Sequence, residues 1–159
     1  MDTYGMQRTV RNIGILTAIL CFVGFPDAGM DILTGNSYVK LEVKLSRETA
    51  KPGGSGEIRI TFAPVEGIHV NADPPVEFRF DSTSEVVLQG TPRLVVDKRT
   101  GYLSTAAQVK QGFLVPRTVK PGTQQLKGVI TYYYCSDTEG WCTKFTQPVE
   151  LSLTIIKQP

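Results

Sequence analysis

The chain has little of what most enzymes and nucleic-acid binders are built from. Its 159 residues include one His, one Trp and three Cys. A lone imidazole leaves almost no choice of general base, and no Ser stands in a nucleophilic setting. No Lys/Arg cluster stands out and the formal net charge is +2, so no nucleic-acid partner is expected. No Gly-rich loop lies between a strand and a helix. Gly53-Gly54-Ser55-Gly56 joins two alternating stretches and reads as a turn rather than a phosphate cradle. No apolar run reaches the ~20 residues of a membrane-spanning helix, and no helical period follows the N-terminal segment. Charged residues are 20% and apolar residues 41% of the chain, which excludes a disordered or all-membrane class. The length suits one domain of ordinary size. Nothing in it calls for a cofactor.

The N-terminal segment is the one long apolar run. Arg8 and Arg11 precede Ile13–Phe25, a basic start and an apolar stretch of the length found in secretory signals. The reading is a signal or anchor helix at residues 1–28 and one folded domain at residues 29–159. Ala28 is the candidate last residue of a cleaved leader, although Pro26 fits the usual small-residue pattern poorly. An uncleaved anchor to the inner membrane is the alternative. Cys21 falls within the apolar run, and Ala18-Ile19-Leu20 before it lacks the small residue that lipidation wants, so Cys21 reads as apolar filler. The expected location is the periplasm or another exported compartment. There the remaining two thiols can oxidise and stay oxidised.

The rest of the chain alternates. In Tyr38–Leu45 the residues Val39, Leu41, Val43 and Leu45 share one face, and Lys40, Glu42 and Lys44 the other. That is the period of a half-buried strand. Glu57–Phe62 repeats it with Ile58, Ile60 and Phe62 inward, and the two stretches are expected to pair antiparallel across the 51–56 turn. Residues 64–75 are rich in turn formers. Short strands are expected at Val76–Phe80, Glu85–Leu88 and Arg93–Val96, with Thr91-Pro92 as punctuation. Phe113–Pro116 and Thr118-Val119 read as an edge strand, because Pro116 cannot donate to a ladder. Leu126, Gly128, Ile130, Tyr132 and Tyr134 share one face of a further strand, and Lys127, Val129, Thr131, Tyr133 and Cys135 the other. Val149–Ile155 makes the return. Seven to nine short strands without helices predict an all-β, antiparallel, immunoglobulin-like β-sandwich.

The chemistry-bearing stretch joins the last two strands: Tyr132-Tyr133-Tyr134-Cys135-Ser136-Asp137-Thr138-Glu139-Gly140-Trp141-Cys142. It holds both cysteines outside the N-terminal run, the only Trp and three of the six Tyr. Two thiols flanking a polar, Gly-containing bend can close a disulfide across the mouth of a hairpin, at one end of a sandwich. From spacing alone the bridge is a staple or a working redox pair. A staple of this loop length contributes about 2.5 kcal/mol by the chain-entropy relation. Asp137 and Glu139 lie between the thiols, and negative charge disfavours a thiolate. On that ground the pair is attacked by a partner more readily than it attacks. Trp141 and Tyr133 are candidates for shielding the sulfurs or facing a partner. His69 is a candidate proton shuttle or a structural residue of the Asn71–Pro75 turn.

Four segments in order resemble the amino-terminal, periplasmic domain of the thiol–disulfide reductase DsbD and its stand-alone relatives. They are Gly67–Pro75, Gln111–Pro116, Tyr132–Cys135 and Glu139–Cys142. The resemblance implies an immunoglobulin-like sandwich whose redox-active pair is Cys135 and Cys142. It implies electron relay between a membrane electron carrier and periplasmic thioredoxin-like partners through transient mixed disulfides. Disulfide reduction or cytochrome c biogenesis is the setting. The chain departs from that pattern in a loop one residue longer than that of the best-known members. It also carries no multi-span carrier and no thioredoxin-like module, so it is expected to be a component of an oxidoreductase system rather than a self-sufficient enzyme. Two alternatives stand beside this: an exported binding or assembly module with a purely structural disulfide, and a metal chaperone that uses the reduced thiols.

Overall fold

The computed structural model describes Met1 and residues 33–157. Apart from Met1, the expected signal or anchor helix at residues 1–28 lies outside the described residues. Ten strands and no helix occur among those that are described. Alternating β-branched and polar residues favour strands throughout this stretch, and turn formers separate them.

Two sheets share the core. The first orders its strands β1 (Leu33–Gly35), β2 (Val39–Leu45), β4 (Ser55–Pro64), β8 (Val109–Leu114) and β7 (Val87–Arg93), all antiparallel. The second orders β3 (Thr49–Ala50), β10 (Cys142–Ile155), β9 (Gly122–Ser136) and β5 (Ile68–Val70), with β6 (Glu77–Phe80) also on β9. Here β3 runs parallel to β10 and the other pairs are antiparallel. The fold is therefore an all-β sandwich with one antiparallel and one mixed sheet.

The alternation read from β2, β4 and β9 decides what is inside. Val39, Leu41, Ile58, Ile60 and Phe62 from the first sheet meet Leu126, Ile130, Tyr132 and Tyr134 from the second, all buried. Each fully buried large apolar side chain is worth about 1.5–3 kcal/mol. The sheets are keyed together by Phe62 against Tyr132, edge to face at 5.1 Å between centroids. The Tyr132 hydroxyl accepts from Asn36 Nδ2 at 3.4 Å. Burial, and then the nearby Tyr134, hold its phenol far above the usual range.

Some elements differ from the sequence reading. Ten strands form instead of seven to nine, because Leu33–Gly35, Thr49–Ala50 and Ile68–Val70 each add a short rung. Thr91-Pro92 does not end a strand. β7 passes through it with a shift in register between Gln89 and Arg93, tolerated because β7 is an edge strand. Val109–Leu114 is not an edge: it lies between β4 and β7. Pro116 falls beyond its end, and Val119 is buried from a loop.

Gly128 is required by a close approach. β6 pairs antiparallel with β9 there, with Phe80 opposite Gly128, and a Cβ at Gly128 would come within 2.4 Å of the Arg79 carbonyl oxygen. Replacing Gly128 with Ala is expected to push β6 off β9 and lower stability by about 1–3 kcal/mol, read as a lower urea midpoint. Tyr132 predicts a pH effect. Its folded-state pKa is raised, so its contribution is complete below the unfolded phenol value of about 10 and declines as pH rises above it. Denaturant unfolding between about pH 9 and 11 should show that decline in the parent chain, and a shallower one in Tyr132→Phe.

Candidate functional site

The β9–β10 hairpin runs in unbroken register from Ile155 opposite Gly122 to Cys142 opposite Cys135. One rung further, Ser136 N–H donates to the Trp141 carbonyl at 2.9 Å. Hydrogen-bonded and non-hydrogen-bonded rungs alternate along such a ladder, so the cysteines occupy a non-hydrogen-bonded rung, where side chains stand closest. Their Cα atoms are 4.0 Å apart and the sulfurs are bonded. The disulfide thus closes the end of a hairpin within one sheet.

Alternation puts Cys135 on the face of β9 that points away from the core. It is nonetheless buried, 5% exposed, whereas Cys142 is exposed. The cover over Cys135 comes from elements far off in sequence. His69 of β5 stands directly opposite Cys135, and Val70 opposite Tyr134. Asn71 follows, with its N–H donating to the Tyr133 carbonyl at 2.9 Å. Its Oδ1 lies 3.4 Å from Cys135 Sγ. Beyond β5 the segment 96–103 forms a tight loop that bridges Asn71 through Tyr102. Leu103 N–H also donates to the Val70 carbonyl at 2.9 Å. Asp97 fixes this loop by accepting from Arg99 N–H at 2.8 Å. That bond holds its carboxyl below the usual range. The Tyr102 ring lies flat on His69, 3.5 Å between centroids and 5° from parallel.

The loop between the cysteines is folded on its own groups. Ser136 Oγ accepts from Glu139 N–H at 3.1 Å, and Gly140 takes a positive φ of 70°. The two acidic side chains do not simply face the sulfurs. Asp137 Oδ1 lies 2.8 Å from His69 Nδ1. No aligned hydrogen bond accompanies the contact, so it is an electrostatic pairing when the imidazole is protonated. Glu139 accepts from Trp141 Nε1.

The site residues expected from sequence are not all on one side. Cys135, Cys142, His69 and Tyr133 share the outer end of the second sheet. There Lys144 Nζ lies 5.9 Å from the Tyr133 ring centroid. Trp141 is on the other side of the hairpin, against Tyr134 and Tyr38 at 5.9 and 5.3 Å between centroids. There it closes the end of the core. Asn71 and Tyr102 belong to the site and were not singled out from sequence. Asn71 follows His69 at the two-residue period of a strand, which is the signal for it. Tyr102 has none, since a loop places it. Among the described residues no group of three His, Cys, Asp or Glu side chains is arranged to hold a metal ion.

No protein-family model matches the chain, and no curated protein sequence does. Solved structures similar to it include two GAE domains and a DsbD N-terminal domain. The GAE domain of GGA2p from Saccharomyces cerevisiae is 13% identical, with a TM-score of 0.42 over 78% of this chain and 97% of that one. The GAE domain of yeast GGA1 is 14% identical, with a TM-score of 0.39 over 74% and 96%. The Neisseria meningitidis DsbD N-terminal domain in its reduced form is 16% identical, with a TM-score of 0.33 over 74% and 84%. This is a weak, fold-level likeness to two kinds of domain, and no functional argument rests on it.

Because the ladder and core hold the hairpin independently of the sulfurs, reduction should leave the fold intact. It is expected to lower stability by about 2.5 kcal/mol, measured as the difference in denaturant midpoint with and without a reductant that leaves the far-ultraviolet spectrum unchanged.

Proposed function

We propose that this chain is an exported thiol–disulfide exchange module on an immunoglobulin-like sandwich. It would relay electrons between a membrane redox carrier and periplasmic partners through Cys135 and Cys142. The observation that carries the reading is the asymmetry of the pair: Cys142 is exposed and Cys135 is buried. Exchange requires one sulfur that an incoming thiolate can reach and a second that departs and later resolves the mixed disulfide.

The steps balance with a partner dithiol as reductant. A partner thiolate attacks Cys142 Sγ. A partner–Cys142 bond forms, the Cys142–Cys135 bond breaks, and its electron pair leaves on Cys135 Sγ. The partner's second thiolate then attacks its own sulfur in the mixed disulfide and releases Cys142 as a thiolate. The partner ends as a disulfide, and this chain, after taking two protons, ends as a dithiol. Run in reverse against an oxidised thioredoxin-like protein, the same steps pass the two electrons on. The outer-end location of the pair favours such docking, and Tyr133 and Lys144 beside it are the residues a partner would meet first.

In a Cys21→Ser background, Cys135→Ser leaves the exposed Cys142 to hold a partner. It is expected to accumulate mixed disulfides in the exported compartment, seen on non-reducing gels. Cys142→Ser should accumulate several-fold fewer. A redox titration supplies the second check: a midpoint well below about −300 mV marks a structural bridge and sinks the reading.

A further inference from the structure

Asn71 stands against the buried sulfur, with Oδ1 3.4 Å from Cys135 Sγ. A disulfide sulfur carries no proton, so nothing in the oxidised pair donates to that oxygen. The two ends of an Asn amide are alike in shape and are told apart by what they bond. A half-turn of the amide brings Nδ2, a donor, to the same place. Among the described residues this sulfur is the only polar contact of the Asn71 side chain. Its backbone is fixed separately, by the N–H bond to Tyr133 and the bridge to Tyr102. The amide is therefore held beside the sulfur and free to present either end.

We infer that Asn71 receives the Cys135 sulfur when the disulfide opens, donating from Nδ2 to the departing thiolate and accepting at Oδ1 from the thiol. The inference rests on the exchange reading above. A buried thiolate without a partner is strongly disfavoured, and a hydrogen bond to the charged form restores part of what burial takes away. The other charged or titratable groups nearby have other engagements. His69, opposite Cys135, is stacked on Tyr102 and paired with Asp137. Glu139 accepts from Trp141, and Lys144 lies over Tyr133. Among the described residues Asn71 alone places a polar side-chain atom against the sulfur. Being neutral, it stabilises the thiolate without trapping it as an ion pair, which suits a sulfur that must later attack Cys142.

The test uses the full chain with Cys21→Ser and Cys142→Ser, so that Cys135 is the only thiol, and follows its pH-dependent alkylation. Asn71→Ala is expected to raise the apparent pKa of Cys135 enough to cut the thiolate present below that pKa about tenfold. Asn71→Asp should raise it further, and Asn71→Ser, which keeps a donor, should recover part of the loss. Identical titrations in all four chains overturn the assignment. Should the single-thiol chain fail to fold, the intact disulfide in the Cys21→Ser chain supplies the readout. Its reduction by excess small dithiol should slow several-fold on Asn71→Ala, because a thiol of higher pKa leaves more slowly, and an unchanged rate overturns the assignment. The midpoint measurement named above decides the exchange reading separately, since the Cys135 titration stands whichever way that potential falls.

Discussion

The site depends first on the register of β9 against β10. The side-chain period of a strand is two, so a slip of one residue would turn every side chain to the other face. Tyr132, Ile130 and Leu126 would leave the core, and Cys135 would enter it. The buried face of β9 therefore fixes the sulfurs through a ladder that ends on their rung. The disulfide is a consequence of this register more than its cause. The small stabilisation expected of so short a loop agrees with that ordering.

How much of this was legible in the sequence follows from where each constraint acts. β2, β4, β9 and the later part of β10 could be read because each buries one face, and burial writes a strict alternation. The same alternation puts Cys135 on the outer face of β9 from the sequence alone. β5 could not be read, since three residues within a run of turn formers carry no period of their own. They become a strand only because β9 offers them a ladder. β8 was misread for a related reason: Pro116 suggested an edge, but the strand ends before it, and pairing with β4 and β7 is set by distant residues. The cover over Cys135 was the least legible part. His69, Asn71 and Tyr102 come from separate elements, and nothing local to the cysteines announces them. Trp141 is a candidate for shielding the sulfurs or facing a partner because it adjoins Cys142, yet successive side chains of an extended chain face opposite ways, and its ring packs against Tyr38 and Tyr134.

Composition also misled about charge. Two carboxylates between two cysteines read as a negative field on the thiols. In the folded chain Asp137 lies against His69 and Glu139 holds the Trp141 indole. Each carboxylate is thus directed at a group other than the sulfurs. Their effect on Cys142 is correspondingly smaller than counting charges suggests, and for Asp137 it varies with the protonation of a single imidazole.

The difference between the two sulfurs follows from topology rather than from the loop that joins them. β9 is an inner strand: at the Cys135 rung it has β10 on one side and β5 on the other. β10 is inner only where β3 reaches it, at Thr154 and Ile155. At Cys142, the far end, no described strand lies on its outer side. Pro148, part-way along, is tolerated for the same reason, since a residue without an N–H costs no ladder bond on an open side. The cysteine on β9 is therefore enclosed by its neighbours, and the cysteine on β10 is left to solvent. Lengthening or shortening the bend between them would not exchange these positions. On the exchange reading proposed above, an incoming thiolate would meet Cys142 first because of strand order, and the Cys135 sulfur would be left beside the Asn71 amide.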